Sequence, residues 1–202
     1  MVIPRLYAIV DASYFVAEKQ DDFVRELLGA GVTLLQYRDK RSSSREVLER
    51  ARRMQTVVDG RAKLIMNDRP DLCLIAGWDG LHLGQNDISP PEGRRIIGPE
   101  RWLGVSTHNP EQVAEAEKIS ATYLAIGPVF STRSKLHPDP VVGLEGVKKA
   151  RSMTSKALVA IGGINRLNAR SVMDAGADAV AIISDLIESP RKSAETFLEL
   201  LR

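Results

Sequence analysis

The fold is indicated by Ala175-Gly176-Ala177-Asp178-Ala179-Val180-Ala181-Ile182-Ile183-Ser184, a stretch in which an amphipathic segment gives way to a continuous apolar run. The glycine is typical of a helix C-terminus, because it adopts the left-handed backbone conformation at no steric cost. The apolar run is typical of a strand that is covered on both faces. This stretch therefore predicts the helix-to-strand joint of an α/β fold with a parallel sheet.

The same joint recurs at Ala30-Gly31-Val32 and at Ala76-Gly77-Trp78-Asp79. Amphipathic stretches at 22–30, 44–58, 110–119 and 168–175 predict helices, and Ser43 with Glu46 forms a capping-box signature before the second of them. Eight units in 202 residues give about 25 residues each, close to the minimum for a (β/α)8 barrel. We predict a single-domain α/β TIM barrel over residues 1–202. Its strands are predicted at 6–10, 33–37, 63–67, 80–84, 102–106, 123–127, 157–161 and 179–184.

Composition excludes several classes of protein. The chain has 28 Lys and Arg against 26 Asp and Glu, with no basic block, so we expect no nucleic-acid partner. No apolar run is long enough to span a membrane, and the N-terminus does not resemble a signal peptide. The single cysteine, Cys73, is expected to pack in the core of a protein from a reducing compartment. We predict a cytoplasmic protein with small-molecule substrates and leave its oligomeric state open, a homo-oligomer included.

Polar residues end the second predicted strand. Gln36, Arg38 and Lys40 are spaced two residues apart, so in an extended chain they point to the same side. The carboxyl ends of the strands form the active face of such barrels, which favours a shared ligand for these three residues. The alternative is a charged loop exposed to solvent.

Carboxylates end the third and fourth predicted strands. Asp68 and Asp87 would lie at neighbouring strand ends, where two carboxylates can bind Mg²⁺ and leave positions open for phosphate oxygens. The alternative for each is a helix N-cap, before Arg69-Pro70 and before Ser89-Pro90 respectively. We expect His82 to be a hydrogen-bonded lining residue of the core.

A second anion site is predicted after strands seven and eight. Gly162-Gly163 closes the seventh strand and Ile183-Ser184 the eighth, the positions at which barrels often bind phosphate. We expect a side chain placed at Gly163 to occupy the position of a phosphate oxygen. The glycine pair alone is also compatible with a tight turn. The long loop 130–143 adds hydroxyl groups and a cation.

Taken together, these motifs resemble those of the thiamine phosphate synthase family, in order and spacing, across nearly the whole chain. They read Gln-x-Arg-x-Lys, Asn-Asp-Arg, His-Leu-Gly-Gln-x-Asp, Val-Ser-Thr-His, Gly-Pro-Val-Phe-x-Thr-x-Ser-Lys and Ile-Gly-Gly-Ile. The resemblance implies a barrel enzyme that joins 4-amino-5-hydroxymethyl-2-methylpyrimidine diphosphate to 4-methyl-5-(2-hydroxyethyl)thiazole phosphate and releases diphosphate. This dissociative chemistry requires no protein nucleophile.

The resemblance also implies the roles of the site residues. Arg38, Ser106 and Lys135 are expected to act in catalysis, and Asp68 and Asp87 to ligate Mg²⁺. The pyrimidine diphosphate would contact Gln36, Arg38, Lys40, Asn67, Ser106 and Lys135. The thiazole phosphate would contact Thr132, Ser134, Gly162, Gly163, Ile183 and Ser184.

Three residues depart from the family pattern. Ser134 replaces a threonine and keeps the hydroxyl, Asp185 would place a carboxylate beside a phosphate, and Trp78 is expected to be a surface change. A thiazole tautomerase of the same fold, a non-catalytic phosphate-binding barrel and a phosphosugar isomerase are the alternatives. The carboxylates and the Gln-x-Arg-x-Lys residues argue against all three.

Overall fold

Eight apolar runs form the eight parallel strands of a closed barrel. The structure is a computed structural model and describes residues 2–132 and 139–202. Each strand pairs with the next along the chain, and the last pairs with the first. The strands are β1 (Leu6–Asp11), β2 (Leu34–Arg38), β3 (Lys63–Asn67), β4 (Gly80–Leu83), β5 (Trp102–Thr107), β6 (Tyr123–Ile126), β7 (Ala157–Ile161) and β8 (Ala179–Ile182).

A helix follows each strand, and local sequence explains where several of them begin. Ser43 and Glu46 form the predicted capping box, and Ser89 with Glu92 forms another. Proline at the first helical position starts further helices, since its missing N–H has no partner there. The helices are α1 (Ala17–Gly29), α2 (Ser44–Val58), α3 (Pro70–Ile75), α4 (Pro90–Ile97), α5 (Pro110–Glu117), α6 (Gly143–Met153), α7 (Ala169–Asp174) and α8 (Pro190–Leu200).

The strands bury both of their faces. In β1, Ala8 and Val10 belong to the large core between the sheet and the helices, whereas Tyr7 and Ile9 belong to a smaller core inside the barrel. The two-residue period of a strand thus separates packing residues from those that face the barrel interior. Interior residues near the carboxyl ends are the ones that can reach a ligand.

The predicted barrel is confirmed, and the strand boundaries lie within about two residues of those expected. Gly31, Gly77 and Gly176 have φ values of 97°, 67° and 105°, as expected at the joints. Cys73 is buried. Among the described residues, no helix is long and apolar enough to cross a membrane.

The prediction that Trp78 is a surface residue is wrong. The indole is only 1% exposed and packs edge-on against Tyr37, with ring centroids 6.3 Å apart. Although Trp78 lies in a turn, its ring belongs to the large core between the sheet and the helices. The large ring therefore packs beside Tyr37 of β2.

At the amino-terminal rim, side chains just before β4, β6 and β8 accept hydrogen bonds from the backbone of the preceding strand. Asp79 accepts from the Leu64 N–H at 2.9 Å, and Asp178 accepts from the Leu158 N–H at 2.8 Å. Thr122 accepts from the Leu103 N–H at 2.9 Å in the same way. These bonds satisfy backbone donors where strands begin, so this rim contributes to stability.

We expect Asp178→Ala to lower the free energy of unfolding by about 1–2 kcal/mol, because the Leu158 N–H loses its acceptor. Thermal unfolding should show a fall of a few degrees with unchanged activity. Asp174→Ala is the control, since Asp174 is 65% exposed and its ion pair with Arg170 contributes little. Equal effects of the two substitutions would contradict the assigned role of Asp178.

Candidate active site

A cavity opens at the carboxyl ends of the strands and gathers the predicted site residues. Ser134 and Lys135 lie outside the described residues. All the other predicted residues line the cavity, namely Gln36, Arg38, Lys40, Asn67, Asp68, Asp87, Ser106, Thr132, Gly162, Gly163, Ile183 and Ser184.

Arg38, the last residue of β2, is held by a carboxylate. Arg38 Nη1 lies 2.5 Å from Asp11 Oδ2, and Asp11 is only 2% exposed. The other oxygen of Asp11 accepts from the backbone N–H and the hydroxyl of Ser13, at 2.9 and 2.7 Å. Asp11 therefore fixes the direction of the Arg38 guanidinium. Sequence reasoning missed Asp11, although it ends a predicted strand in the same way as Asp68.

Asp68 and Asp87 are brought together at the ends of β3 and β4. Neither is an N-cap, because α3 is capped at Arg69 and α4 at Ser89. The backbone N–H of Asp68 donates to the His82 carbonyl at 2.9 Å, and that of Gly84 donates to Asp87 Oδ2 at 2.7 Å. These backbone bonds hold both residues at the cavity, and the Lys40 ammonium pairs with Asp68.

The electrostatics of this acidic pair suit a divalent cation. Burial, followed by the adjacent Asp87 carboxylate, raises the pKa of Asp68 to about 6, although Lys40 acts in the opposite direction. Within the described residues, no group of three or more His, Cys, Asp or Glu side chains could hold a metal. Two carboxylates that leave the other positions to phosphate oxygens and water match the coordination habit of Mg²⁺.

The loops after β6 and β7 form the opposite side of the cavity. Val129 N–H donates to the Ile161 carbonyl and Phe130 N–H to the Gly162 carbonyl, both at 2.9 Å. Gly163 follows with φ +65°. Within residues 2–132 and 139–202, the N–H groups of Gly163 and Ile164 donate to no protein acceptor. Unpaired N–H groups of residues that line a cavity can receive an anion.

The expectation that a side chain at Gly163 would enter the phosphate position is wrong. A Cβ there would lie 2.5 Å from the Ser131 carbonyl oxygen and 2.7 Å from Phe130 Cβ, so it would point into the neighbouring loop. Glycine is needed for the close approach of two backbones as well as for the positive φ.

The carboxylate of Asp185 does not leave an unpaired charge near the loops after β7 and β8. It accepts from the Arg166 backbone N–H and from Nε and Nη2 of the Arg166 guanidinium, at 3.0–3.1 Å. This two-point ion pair joins the loop after β7 to the loop after β8. The charge of Asp185 is therefore balanced by Arg166, and this ion pair connects the two loops.

Two histidines also line the cavity. His82 bonds to the Ser106 hydroxyl at 2.9 Å and to the Tyr123 hydroxyl at 3.0 Å, which confirms the predicted hydrogen-bonded lining residue. His108 Nδ1 lies 2.5 Å from the Gly127 carbonyl, and its Nε2 lies 3.4 Å from Asp139. His108 was missed as a lining residue, although it directly follows β5.

Comparisons with known proteins agree on one family. The family model described as thiamine monophosphate synthase matches residues 6–186. The chain is 53% identical to the thiamine-phosphate synthase of Koribacter versatilis, over 98% of this chain and 96% of that protein. Identity to the thiamine-phosphate synthase of Shouchella clausii is 38%, over 91% and 88%. The solved thiamine phosphate pyrophosphorylase of Pyrococcus furiosus superposes with a TM-score of 0.88 at 34% identity, over 98% and 95%.

We expect Gly163→Val to reduce stability rather than to block one ligand selectively. The overlap with Ser131 adds to the roughly 1–2 kcal/mol that a side chain costs at positive φ. Gly77→Ala is the control, because Gly77 has φ +67° and nothing within 4 Å of its Cβ position. Thermal unfolding should show a clearly larger loss for Gly163→Val. A selective loss of anion binding with unchanged stability would contradict this geometry.

Proposed function

This chain belongs to the thiamine monophosphate synthase family, and we propose that it joins 4-amino-5-hydroxymethyl-2-methylpyrimidine diphosphate to 4-methyl-5-(2-hydroxyethyl)thiazole phosphate. The products are thiamine phosphate and diphosphate. We propose Mg²⁺ as its cofactor, with Asp68 and Asp87 as ligands. The cytoplasmic location expected from the sequence stays a prediction.

The observation that carries this proposal is that one cavity contains two chemically different regions, each suited to an anion. One region combines the acidic pair Asp68 and Asp87 with the cations Arg38 and Lys40. The other consists of the backbone N–H groups around Gly163. A diphosphate with its metal suits the first region, and a monophosphate suits the second. A reaction between two phosphorylated substrates accounts for both.

The reaction requires the carbon–oxygen bond of the pyrimidine diphosphate to break and the thiazole nitrogen to capture the exocyclic carbon. Arg38 and Lys40 would stabilise negative charge on the departing diphosphate, an effect that grows as the bond breaks. Ser106 and Gln36 would orient the pyrimidine, and Gly163 would fix the thiazole through its phosphate. When bound, Mg²⁺ would neutralise part of the diphosphate charge.

A thiazole tautomerase on the same fold is the second candidate. It would act on the thiazole phosphate alone and would have no use for the acidic pair. The desolvated Asp68 beside Asp87 is unfavourable for the protein without a bound cation, and this favours the synthase.

The decisive experiment mixes both substrates with Mg²⁺ and measures thiamine phosphate. We expect Asp68→Asn and Asp87→Asn to reduce turnover by orders of magnitude, with nearly unchanged thermal unfolding. Asp71→Asn is the control, because Asp71 pairs with Arg69 outside the cavity. Full activity in the presence of EDTA would contradict the proposed role of Mg²⁺.

Lys135 separates the synthase from the tautomerase. We expect Lys135→Ala to slow thiamine phosphate formation by about 10²–10³-fold, because the family resemblance implies that this cation stabilises the departing diphosphate. Binding of thiazole phosphate alone should change little. Lys148→Ala, at a surface pair with Glu145, is the control. If the wild-type protein makes no thiamine phosphate yet isomerises the carboxylated thiazole phosphate, the synthase proposal is wrong and the protein is a tautomerase.

A further inference from the structure

Five side chains form a continuous line of hydrogen bonds across the barrel interior, which we call the polar chain. Gln36 Nε2 donates to the Tyr7 hydroxyl at 2.8 Å, and the Tyr7 and Tyr123 hydroxyls are 2.8 Å apart. His82 Nδ1 lies 3.0 Å from the Tyr123 hydroxyl, and His82 Nε2 lies 2.9 Å from the Ser106 hydroxyl. The polar chain therefore connects Gln36 on β2 with Ser106 on β5, and both ends line the cavity.

The two phenols of the polar chain are almost completely buried. Tyr7 is 1% exposed and Tyr123 is fully buried, and burial raises the pKa of both phenols well above the ordinary range. Each phenol therefore keeps the single hydrogen it can donate. Gly104 makes this contact feasible, because a Cβ there would overlap the Tyr123 phenol and the His82 ring.

The direction of the polar chain follows from counting hydrogens. Because Tyr7 accepts from Gln36, its own hydrogen must go to Tyr123. Tyr123 then donates to His82 Nδ1, so the imidazole carries its hydrogen on Nε2. That hydrogen goes to the Ser106 oxygen, which leaves the hydroxyl hydrogen of Ser106 for a further acceptor.

This direction leaves a hydrogen-bond acceptor at the Gln36 end and a hydrogen-bond donor at the Ser106 end. Gln36 commits its amide nitrogen to Tyr7, so its carbonyl oxygen is the end that remains to accept. Ser106 commits its oxygen to His82 and presents a donor. If the polar chain ran the other way, Gln36 would commit its oxygen and Ser106 would present an acceptor. Gln36 can therefore exchange the positions of its amide oxygen and nitrogen, and Ser106 can lose its free donor, only if the hydrogen bonds of the three residues between them reverse.

We propose that the polar chain makes the cavity select an amino-substituted pyrimidine over the oxo-substituted one, with Tyr7, Tyr123 and His82 as positioning residues. An exocyclic amine donates and its neighbouring ring nitrogen accepts, whereas an oxo group accepts and its neighbouring ring nitrogen carries hydrogen. The oxo group of such a ring would face the carbonyl oxygen of Gln36, so two acceptors would meet. A buried polar group left unpaired costs far more than a missing contact. This inference rests on the proposed function and specifies how its pyrimidine substrate is recognised.

The test compares the binding of two ligands by calorimetry, with Mg²⁺ present and thiazole phosphate absent. The ligands are 4-amino-5-hydroxymethyl-2-methylpyrimidine diphosphate and its 4-oxo analogue, which carry the same diphosphate. We expect the wild type to prefer the amino ligand by at least about 100-fold. Tyr7→Phe and Tyr123→Phe, which keep the rings but remove the hydroxyls, should each reduce this preference by about tenfold.

Tyr37→Phe is the matched control, because Tyr37 is a buried tyrosine whose hydroxyl bonds to Asp39 at 2.9 Å, outside the polar chain. Its preference should equal that of the wild type. Gln36→Glu provides a variant with no change in the buried rings. A carboxylate only accepts, so Tyr7 must donate to it and the polar chain must reverse. The preference for the amino ligand should again fall.

Unchanged preference in Tyr7→Phe, Tyr123→Phe and Gln36→Glu, or equal losses for both ligands, would overturn the inference and leave the proposed function intact. A wild-type protein that binds neither pyrimidine diphosphate would overturn the proposed function together with the inference. A reduced preference for the amino ligand in these three variants, with no change in Tyr37→Phe, would support the inference.

Discussion

Parallel closure of the sheet is the constraint on which the rest of the structure depends. Because β8 pairs with β1 and all strands run in the same direction, every strand carries its carboxyl end to one rim. Asp11, Arg38, Asp68 and Asp87 end or follow the four consecutive strands β1 to β4, and the parallel pairing of these strands brings the four residues to the same rim. The amino-terminal rim instead contains the hydrogen bonds that stabilise the strand starts. Stability and chemistry thus occupy opposite ends of the barrel.

The carboxyl rim contains arrangements that are unfavourable for the protein alone. Asp68 has φ +61°, a conformation that is uncommon outside glycine, and its carboxyl group is partly desolvated beside Asp87. Lys40 offsets part of this repulsion. Such strain and like-charge contact are typical of sites that gain their stabilisation from a ligand. The side of the cavity around Gly163 differs, because its backbone N–H groups would offer a bound anion partial positive charges without a charged side chain.

Local sequence predicted the barrel well, because continuous apolar strands, glycine joints and capping boxes each have a short-range signature. Local sequence also located the residues at the strand ends, because a repeated strand–helix unit predicts a parallel sheet whose strands all end at the same rim. Features that depend on packing between distant segments were missed or wrong. Trp78 is buried because of Tyr37, and Gly163 faces the loop after β6. Tyr7 and Tyr123 lie in predicted strands, and only the tertiary structure shows that they connect Gln36, through His82, with Ser106. The roles of the site residues stay predictions.

The central claim is that Asp68 and Asp87 act together, through a divalent cation, on a diphosphate. The most direct measurement is calorimetric titration of inorganic diphosphate with and without Mg²⁺, using the wild type and the Asp68→Asn/Asp87→Asn double variant. The account predicts that Mg²⁺ strengthens diphosphate binding by the wild type at least about tenfold, while binding by the double variant is insensitive to Mg²⁺. The same Mg²⁺ dependence in both proteins would contradict it.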